Sequence, residues 1–382
     1  MSGENQMKIG IITHYYNSIN YGGVLQAYAL CRFLNDRGHT ACQIAYAPTN
    51  RSLRDKPLSA SEFMHKVDSH IAKRVFRQRN RRIKAQMQAS FQEFRQNIPH
   101  TECVYTKETI RNAAEQFDML ITGSDQVWNP NWFDSSFLLD FSGTPEKKLA
   151  YAASMGVTTL SEKQGDAFRG DLLGFKAIST RERAAARALE AVTDRPVEVC
   201  VDPTLLLEAP QWDELASERI VPEGYVFLYL LGGSEGVRRS AEAFARTTGR
   251  RLVMIPDLMG AYRPGDRRVD AERITTATPQ DFLSLVKHAD YVLTDSFHAC
   301  VFSLLFHREF FAFERGGGTS MSSRIRELLE MFECPERFLA AGGRNALSQP
   351  QALAAARPMD AYPLFEILRQ RSIDFLERNL ER

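Results

Sequence analysis

The chain alternates between short apolar runs and longer segments whose apolar side chains recur every three to four residues. Short apolar runs predict buried strands, and the longer spacing predicts helices. The predicted strands are Lys8–Thr13, Ile44–Ala47, Phe117–Thr122, Lys148–Ser154, Phe175–Ser179, Val197–Val201, Tyr225–Leu231, Arg251–Ile255, the first part of 290–306, and Glu309–Phe313. Because helical segments separate the strands throughout, the sequence predicts an α/β fold with parallel sheets.

The length of the chain predicts two domains. At 382 residues it exceeds what one ordinary hydrophobic core accommodates. An Asp-Pro turn at 202–203, followed by a linker at 205–211, marks the boundary. We therefore predict Rossmann-like domains at 1–205 and 206–382, in a GT-B-like arrangement with a cleft between them. A C-terminal amphipathic helix at 362–380 is assigned to the second domain.

Residues 52–97 form a polar excursion with a helical pattern within the first predicted domain. Eight Lys or Arg residues lie between Lys66 and Lys84. The segment is either a solvated helical excursion or a basic patch at 66–84 that faces anionic lipid headgroups. The second alternative would suit a substrate carried on a membrane lipid and a peripheral contact with the membrane.

Composition narrows the class of protein. The formal net charge is +1, which gives no overall field for binding nucleic acid. The six cysteines include no CxxC pair, which indicates reduced thiols in a cytoplasmic protein. No His/Asp cluster has the spacing of metal ligands, so we expect no metal. No apolar run is long enough to cross a bilayer, so we expect the protein in the cytoplasm, where the basic patch would bring it to the inner face of the membrane.

The segment 290–306 carries the first candidate for chemistry. Its apolar strand runs into Thr294-Asp295-Ser296, three residues that cap helices well, and then into an apolar helix. A helix that starts in this way offers backbone N–H groups to an anion. His298 falls in the first turn. The alternative is a capped core helix with an incidental histidine.

Loops after the other predicted strands supply further polar candidates. Gly22-Gly23 lies in the first loop, where glycine allows either tight packing or a close ligand. The loop 123–132 carries Trp128 and Trp132 beside Asp125. Two tryptophans among Asp, Gln and Asn side chains suit a sugar that stacks on a ring, but they also suit core anchors with Asp125 as a cap. Arg181 ends another predicted strand, where it can clamp a carboxylate or phosphate or pair with a surface acid.

Five blocks in order resemble the polysaccharide pyruvyl transferase family. They are residues 20–30, 123–129, 201–206, 294–303, and 323–325 with 328–329. The resemblance implies a two-domain GT-B-like fold and the transfer of pyruvate from phosphoenolpyruvate to two hydroxyls of one sugar. The product would be a ketal, with release of phosphate. It also implies a role in making exopolysaccharide of the cell envelope, with phosphoenolpyruvate as co-substrate and no cofactor.

The resemblance also assigns residues. By motif, His298 and Arg181 match the family's phosphoenolpyruvate ligands. Some members have Arg-Leu-His where this chain has Ser296-Phe297-His298, so either Arg324 or another cation replaces that arginine. We predict His298 as the acid, or as the donor to the leaving phosphate, and Asp125 as the base. The predicted donor ligands are Arg181, Ser296, Phe297 and Arg324. The predicted acceptor ligands are Asn20, Tyr21, Gly22, Gln26, Ser124, Gln126, Trp128 and Asn129.

Two other functions fit the same sequence. A GT-B glycosyltransferase would bind the diphosphate of a nucleotide sugar at the same helix N-terminus. A non-catalytic member of the family would only bind glycan or a partner protein, and the missing arginine keeps this alternative open. The acceptor is expected to be a saccharide of a polysaccharide or of its lipid-linked precursor.

Overall fold

The computed structural model describes residues 6–49, 53, 81–222, 224–257, 264–315, 319–340 and 362–381. Within these residues there are two parallel sheets of six strands each. The strands are β1 (Lys8–Ile12), β2 (Thr40–Gln43), β3 (Met119–Gly123), β4 (Lys148–Ala153), β5 (Ala177–Thr180), β6 (Glu198–Val199), β7 (Tyr225–Tyr229), β8 (Arg251–Met254), β9 (Glu272–Arg273), β10 (Tyr291–Thr294), β11 (Glu309–Phe313) and β12 (Phe338–Leu339).

Helices alternate with the strands, as the hydrophobic pattern predicts. They are α1 (Tyr21–Asp36), α2 (Arg81–Arg95), α3 (Arg111–Ala114), α4 (Glu162–Leu172), α5 (Arg183–Thr193), α6 (Ala209–Leu215), α7 (Glu235–Thr248), α8 (Pro264–Arg268), α9 (Pro279–His288), α10 (Phe297–Leu305), α11 (Thr319–Met331) and α12 (Pro363–Leu380). None of these helices combines the length and apolar character needed to cross a lipid bilayer.

Contacts divide the chain into two units. The first comprises Met1–Pro57, Arg95–Leu207 and Glu366–Arg382, and the second comprises Leu58–Phe94 and Glu208–Phe365. The division after Leu207 lies two residues from the boundary that the Asp-Pro turn predicts. Each unit contains one of the two sheets.

The first sheet has the strand order β2-β1-β3-β4-β5-β6. The order reverses between β1 and β3, which are paired in parallel. In open α/β sheets, ligands bind beyond the carboxyl ends of the strands at such a reversal. The loops that follow Ile12 and Gly123 are therefore where the fold favours a ligand.

The second sheet has the order β12-β11-β10-β7-β8-β9. Here the reversal lies between β7 and β10, again a parallel pair. The residues that follow Tyr229 and Thr294 thus occupy the corresponding position in the second unit. The predicted capping segment at 294–296 lies at this point.

Burial explains why the central strands have no polar face. Every residue of β3 and β4 is buried, as is every residue of α10. Parallel strands covered by helices on both sides have continuous apolar sequences, because neither side meets water. α5 shows the complementary pattern, with Ala185, Leu189 and Val192 buried on one face.

The predicted second strand at Ile44–Ala47 is wrong, because β2 spans Thr40–Gln43. Its residues pair in register with Lys8–Ile11 of β1. Residues 44–47 are mostly buried, but outside the strand. The hydrophobic pattern identifies a buried segment near residue 44. It does not show which of the neighbouring residues form the hydrogen bonds with β1.

The assignment of the terminal helix to the second domain is also wrong, since Glu366–Arg382 belongs to the first unit. The backbone N–H of Val201 donates to Ser372 Oγ at 2.9 Å, and Lys176 Nζ donates to the carbonyl of Asn379 at 2.7 Å. The Phe375 ring lies 6.4 Å from that of Tyr151. An amphipathic pattern shows that a helix buries one face, without showing against what.

The basic segment 66–84 lies outside the described residues except for its last four positions, which begin α2. The described part of the excursion, 81–94, groups with the second unit and not with the first predicted domain. Met87, Phe91 and Phe94 are its buried residues. Their spacing gives the apolar stripe that the sequence predicts, but a stripe does not identify the unit that it joins.

Candidate functional site

In the second unit, two hydroxyl groups fix the start of α10. Ser296 is the N-cap, and its Oγ accepts the backbone N–H of Ala299 at 3.5 Å. Thr294 Oγ1 accepts the N–H of Ser296 at 3.0 Å and donates to the carbonyl of Tyr229 at 2.6 Å. These bonds tie the helix start to the end of β7. The positive end of the helix dipole therefore lies at the reversal of strand order.

His298 lies in the first turn of α10 with 8% of its surface exposed. The Phe297 ring meets it edge-on, with centroids 5.2 Å apart. Ser296 and Phe297 are likewise buried, at 5% and 8% exposure. The structure thus brings three of the predicted donor-side residues together at one helix end. The fourth in this unit, Arg324, is buried in α11.

Asp295 joins the two strand ends at this point. Its carboxylate accepts the N–H groups of Leu231 and Gly232, both at 2.7 Å. A Cβ on Gly232 would lie 2.5 Å from Asp295 Oδ2, so a side chain at 232 would disrupt the contact. The carboxylate therefore accepts two backbone N–H groups and also pairs with Arg315 at 3.5 Å, so it joins the ends of β7 and β10.

Arg315 supplies a cation beside this helix start, and sequence reasoning missed it. It follows β11, and its Nη2 donates to the carbonyl of Asp295 at 2.6 Å and lies 3.5 Å from Asp295 Oδ1. Its side chain is 17% exposed. Its Nε is buried, with no hydrogen-bond partner in the described part of the chain. The sequence feature that points to Arg315 is its position just after β11, the strand that pairs with β10 in the parallel sheet.

In the first unit, a strained turn presents Asp125. Ser124 and Asp125 follow β3 with φ values of 22° and 55°, in the left-handed region. Such conformations are costly for residues other than glycine and are often found at functional sites. Ser124 Oγ donates to Asp202 Oδ2 at 2.9 Å, and Ser154 N donates to the carbonyl of Asp125 at 3.0 Å. These two hydrogen bonds hold the turn in place, and the Asp125 side chain is half-buried.

Arg181 pairs with Asp202, the residue that accepts the hydroxyl of Ser124 in that turn. Its Nη1 lies 2.5 Å from Asp202 Oδ2, its Nε lies 3.3 Å from Glu182 Oε1, and its side chain is 3% exposed. Burial opposes its charge, but Glu182, Asp202 and Asp125 outweigh burial and raise its pKa. Buried carboxylates thus already pair with this guanidinium, and the role of Arg181 as a clamp for the donor stays a prediction.

Most of the predicted acceptor ligands are buried. Tyr21, Gly22, Gln26, Ser124, Trp128 and Asn129 are all buried, whereas Asn20 and Gln126 are partly exposed. Gln26 Nε2 donates to Thr13 Oγ1 at 3.0 Å and to the carbonyl of Gly23 at 2.9 Å, so it braces the first loop. Only Asn20 and Gln126 retain side-chain surface that an acceptor could contact.

Trp128 is a core anchor. It has no exposed surface, and its indole N–H donates to the carbonyl of Phe137 at 2.9 Å. The Phe175 ring meets it edge-on at 6.0 Å. A sugar cannot stack on a ring without exposed surface, so the predicted platform is corrected in favour of the anchor alternative.

Gly156 determines how the Trp-containing loop closes. Its φ is 63°, and an added Cβ would lie 2.2 Å from Gln126 Oε1 and 2.5 Å from Asn129 Nδ2. We expect Gly156→Ala to lower the free energy of unfolding by about 3 kcal/mol or more, from backbone strain plus the clash. Gly38→Ala is the matched control, since its φ is 86° with no atom within 4 Å of the new Cβ, and its cost should be about 1 kcal/mol. Equal losses in urea denaturation would contradict this account of the loop.

Gly23, in the first turn of α1, lies between the polar residues of the first unit. A Cβ there would lie 3.0 Å from the carbonyl oxygen of His14, 3.5 Å from Asp125 Oδ2 and 3.6 Å from Asn20 Cβ. The structure therefore brings Asn20 and Asp125 together at the N-terminus of α1. His14, which sequence reasoning did not select, lies beside them in the loop after β1.

Comparison with known structures shows the fold. UDP-GlcNAc 2-epimerase from Methanocaldococcus jannaschii, in complex with UDP-GlcNAc and UDP, has a TM-score of 0.55 at 12% identity, over 97% of this chain and 100% of that one. MnaA of S. aureus in its structure with UDP has a TM-score of 0.55 at 11% identity, over 98% of this chain and 96% of that one. The UDP-GlcNAc 2-epimerase from Neisseria meningitidis bound to UDP-GlcNAc has a TM-score of 0.53 at 10% identity, over 98% of this chain and 99% of that one. The predicted α/β fold with two Rossmann-like domains is confirmed.

The family comparison is more specific. No curated protein matches the chain. A family model described as polysaccharide pyruvyl transferase matches residues 20–317. That range covers the strained turn at Asp125 and the helix start at His298, and it confirms the predicted family; the fifth sequence block, at 323–329, lies beyond the matched range. The chain belongs to the polysaccharide pyruvyl transferase family.

Proposed function

We propose that the protein transfers pyruvate from phosphoenolpyruvate to two hydroxyls of a saccharide acceptor, forming a ketal and releasing phosphate. The observation that carries this proposal is the start of α10, where a helix N-terminus, a buried histidine and a cation meet within a chain of this family. The acceptor is a saccharide of a polysaccharide or its lipid-linked precursor.

The charge of the donor explains these groups. Phosphoenolpyruvate carries about three negative charges near neutral pH, so its site needs cations and N–H donors. The first turn of α10 offers backbone N–H groups and the positive end of the dipole. Arg315 adds a guanidinium, which suits planar carboxylate or phosphate groups. Arg315 therefore takes the place of the arginine that some family members have at position 296, and Arg324 is the second candidate.

The acceptor side requires a base. Asp125 is the candidate, because its half-buried carboxylate makes no hydrogen bond to another described side chain and stands at the reversal point of the first sheet. Asn20 and Gln126 provide polar groups that can orient a sugar.

The chemistry balances with these residues. Protonation of C3 makes C2 electrophilic, and the first sugar hydroxyl attacks C2 while Asp125 accepts its proton. The bond from C2 to the phosphate oxygen breaks, and phosphate leaves with the electron pair. The second hydroxyl closes the ketal. Of the two protons that the hydroxyls lose, one replaces the proton given to C3 and the other leaves with phosphate. His298 is the acid toward C3 or the hydrogen-bond donor to the departing phosphate.

Phosphate release tests the reaction class. The purified protein is incubated with phosphoenolpyruvate and a panel of free and lipid-linked saccharides, and phosphorus NMR follows the products. We expect phosphate to appear only with an acceptor, together with a ketal methyl signal in the proton spectrum. A parallel panel of nucleotide sugars should give no transfer. Glycosyl transfer in that panel, with phosphoenolpyruvate unchanged, would contradict the proposal.

Arg315 should determine affinity for the donor. We expect Arg315→Gln to raise the KM for phosphoenolpyruvate by about tenfold or more, because it removes a charge-assisted contact, and Arg315→Lys to recover part of the loss. Arg326→Gln is the matched control, since that side chain is 54% exposed. An unchanged KM in Arg315→Gln, measured by initial rates at saturating acceptor, would exclude Arg315 from the donor site.

A further inference from the structure

The turn after β3 contains two consecutive residues in a backbone conformation that favours glycine. Ser124 and Asp125 have φ values of 22° and 55°. A residue with a side chain keeps such a conformation only where surrounding contacts hold it. The first unit must therefore supply contacts that keep this turn from relaxing.

Two serine residues connect the turn to buried carboxylates. Ser124 Oγ donates to Asp202 Oδ2 at 2.9 Å. On the other side of the turn, the N–H of Ser154 donates to the carbonyl of Asp125 at 3.0 Å, and Ser154 Oγ donates to Glu182 Oε1 at 2.7 Å. Each residue of the turn is thus linked to a carboxylate, Ser124 directly and Asp125 through Ser154.

Arg181 joins the two carboxylates. Its Nη1 lies 2.5 Å from Asp202 Oδ2, and its Nε lies 3.3 Å from Glu182 Oε1. All three side chains are buried, as are both serines. A buried ionic network of this kind resists separation, because the loss of one partner leaves a charge unpaired away from water. The network therefore gives the strained turn a rigid support.

Asp202 is itself fixed on its other oxygen. Its Oδ1 accepts the N–H of Thr204 at 3.0 Å and the hydroxyl of Thr204 at 2.6 Å. The peptide groups of Ser124 are held separately, since its N–H donates to the carbonyl of Tyr151 and its carbonyl accepts the hydroxyl of Thr13, both at 3.1 Å. Among these contacts with Ser124, the bond to Asp202 is the one made to a charged group, and such bonds are the stronger kind.

We propose that Ser124 and Asp202 are positioning residues, whose hydrogen bond holds the strained turn in the conformation that directs the Asp125 carboxylate to the acceptor. Asp125 is half-buried and follows β3 at the reversal of strand order. Without the bond, the turn relaxes in part of the molecules, and turnover falls with the fraction that keeps the left-handed conformation. This inference rests on the proposed function, in which Asp125 accepts the proton of the acceptor hydroxyl.

Two variants at position 124 test the turn without turnover. Ser124→Ala and Ser124→Gly both remove the hydroxyl, but only glycine adopts the left-handed conformation freely. The urea midpoint should therefore be lower in Ser124→Ala than in Ser124→Gly, and both should lie below wild type. Ser179 is the matched control, a buried residue of β5 whose Oγ donates to the carbonyl of Ala150 at 3.0 Å. In that extended strand, glycine should cost more than alanine. A lower midpoint in Ser124→Gly than in Ser124→Ala would overturn the proposal, whatever reaction the protein catalyses.

The same two variants test the role in turnover with phosphoenolpyruvate and an acceptor. We expect Ser124→Ala to lower kcat by about tenfold, because the strain is no longer opposed, and Ser124→Gly to stay within about threefold of wild type. A merely structural contribution of the hydroxyl would lower kcat equally in both variants, and that result would overturn the proposal.

Asp202→Asn tests the partner of the hydroxyl. An amide has one oxygen, which cannot accept from both Thr204 and Ser124 as the two carboxylate oxygens do, so kcat should fall by about tenfold or more. Adding Ser124→Ala to Asp202→Asn should then cost less than about twofold, because the bond is already lost. A full tenfold further loss would overturn the proposal, and if circular dichroism shows that Asp202→Asn does not fold, the pair at position 124 decides. A wild-type protein that releases no phosphate with any acceptor would overturn the proposed function, whereas the order of the urea midpoints would still show how the turn is held.

Discussion

Replacing His298 with alanine should lower phosphoenolpyruvate-dependent turnover by about a hundredfold or more, because a positioned proton donor contributes that much to such a step. His298 lies in the first turn of α10 and is only 8% exposed. The substitution therefore changes the proposed donor site and leaves the outer surface of the protein as it is. Initial rates of phosphate release at saturating donor and acceptor measure the effect. Circular dichroism, and a second variant, His298→Asn, separate lost chemistry from lost folding.

A matched control lies at the other end of the same helix. His307 is exposed with a φ of 52°, a conformation that asparagine tolerates well. His307→Asn should keep wild-type turnover. If His298→Ala and His298→Asn both folded and turned over at near-normal rates, His298 would have no part in proton transfer.

The second large effect is expected at Asp125. Asp125→Asn keeps the size of the side chain and suits the left-handed backbone, but it removes the base. Turnover should fall by about a hundredfold or more at every pH, while the affinity for phosphoenolpyruvate stays within about threefold, because the variant leaves the proposed donor groups at the start of α10 unchanged. Single-turnover rates and equilibrium binding of the donor separate these two effects.

Asp194 provides the comparison for this substitution. It is exposed, has a φ of 52° and caps the end of α5. Asp194→Asn makes the same chemical change in the same backbone conformation, and it should leave turnover unaltered. A similar loss in both variants would mean that the Asp125 effect arises from the backbone and not from the carboxylate.

The helix start at His298 was predictable because it is a local feature. Thr294 and Ser296 make the capping bonds that their positions indicate, and the apolar run after them is buried throughout. Strand alternation likewise predicted two Rossmann-like domains. These properties depend on neighbours in sequence, which a single chain displays directly.

The errors concern contacts between distant parts of the chain. Arg181 has the sequence setting of an anion clamp, and its pairing with the buried carboxylate of Asp202 becomes visible in the fold alone. Trp128 has the setting of a sugar platform, but the carbonyl of Phe137 and the core cover it. Arg315 becomes a candidate only when parallel pairing places the end of β11 beside β10. The spacing of residues along the sequence does not show which distant residues and strands lie beside each other in the fold.

Binding of phosphoenolpyruvate by the wild-type protein tests the central claim, that the start of α10 with Arg315 forms a site for this donor. Calorimetry on folded protein should detect binding with a Kd of roughly 1 μM to 1 mM, the usual range for enzyme substrates. Arg315→Gln should weaken that binding by about tenfold, whereas Arg326→Gln should not. No detectable heat, with or without saccharide acceptors, would contradict the account.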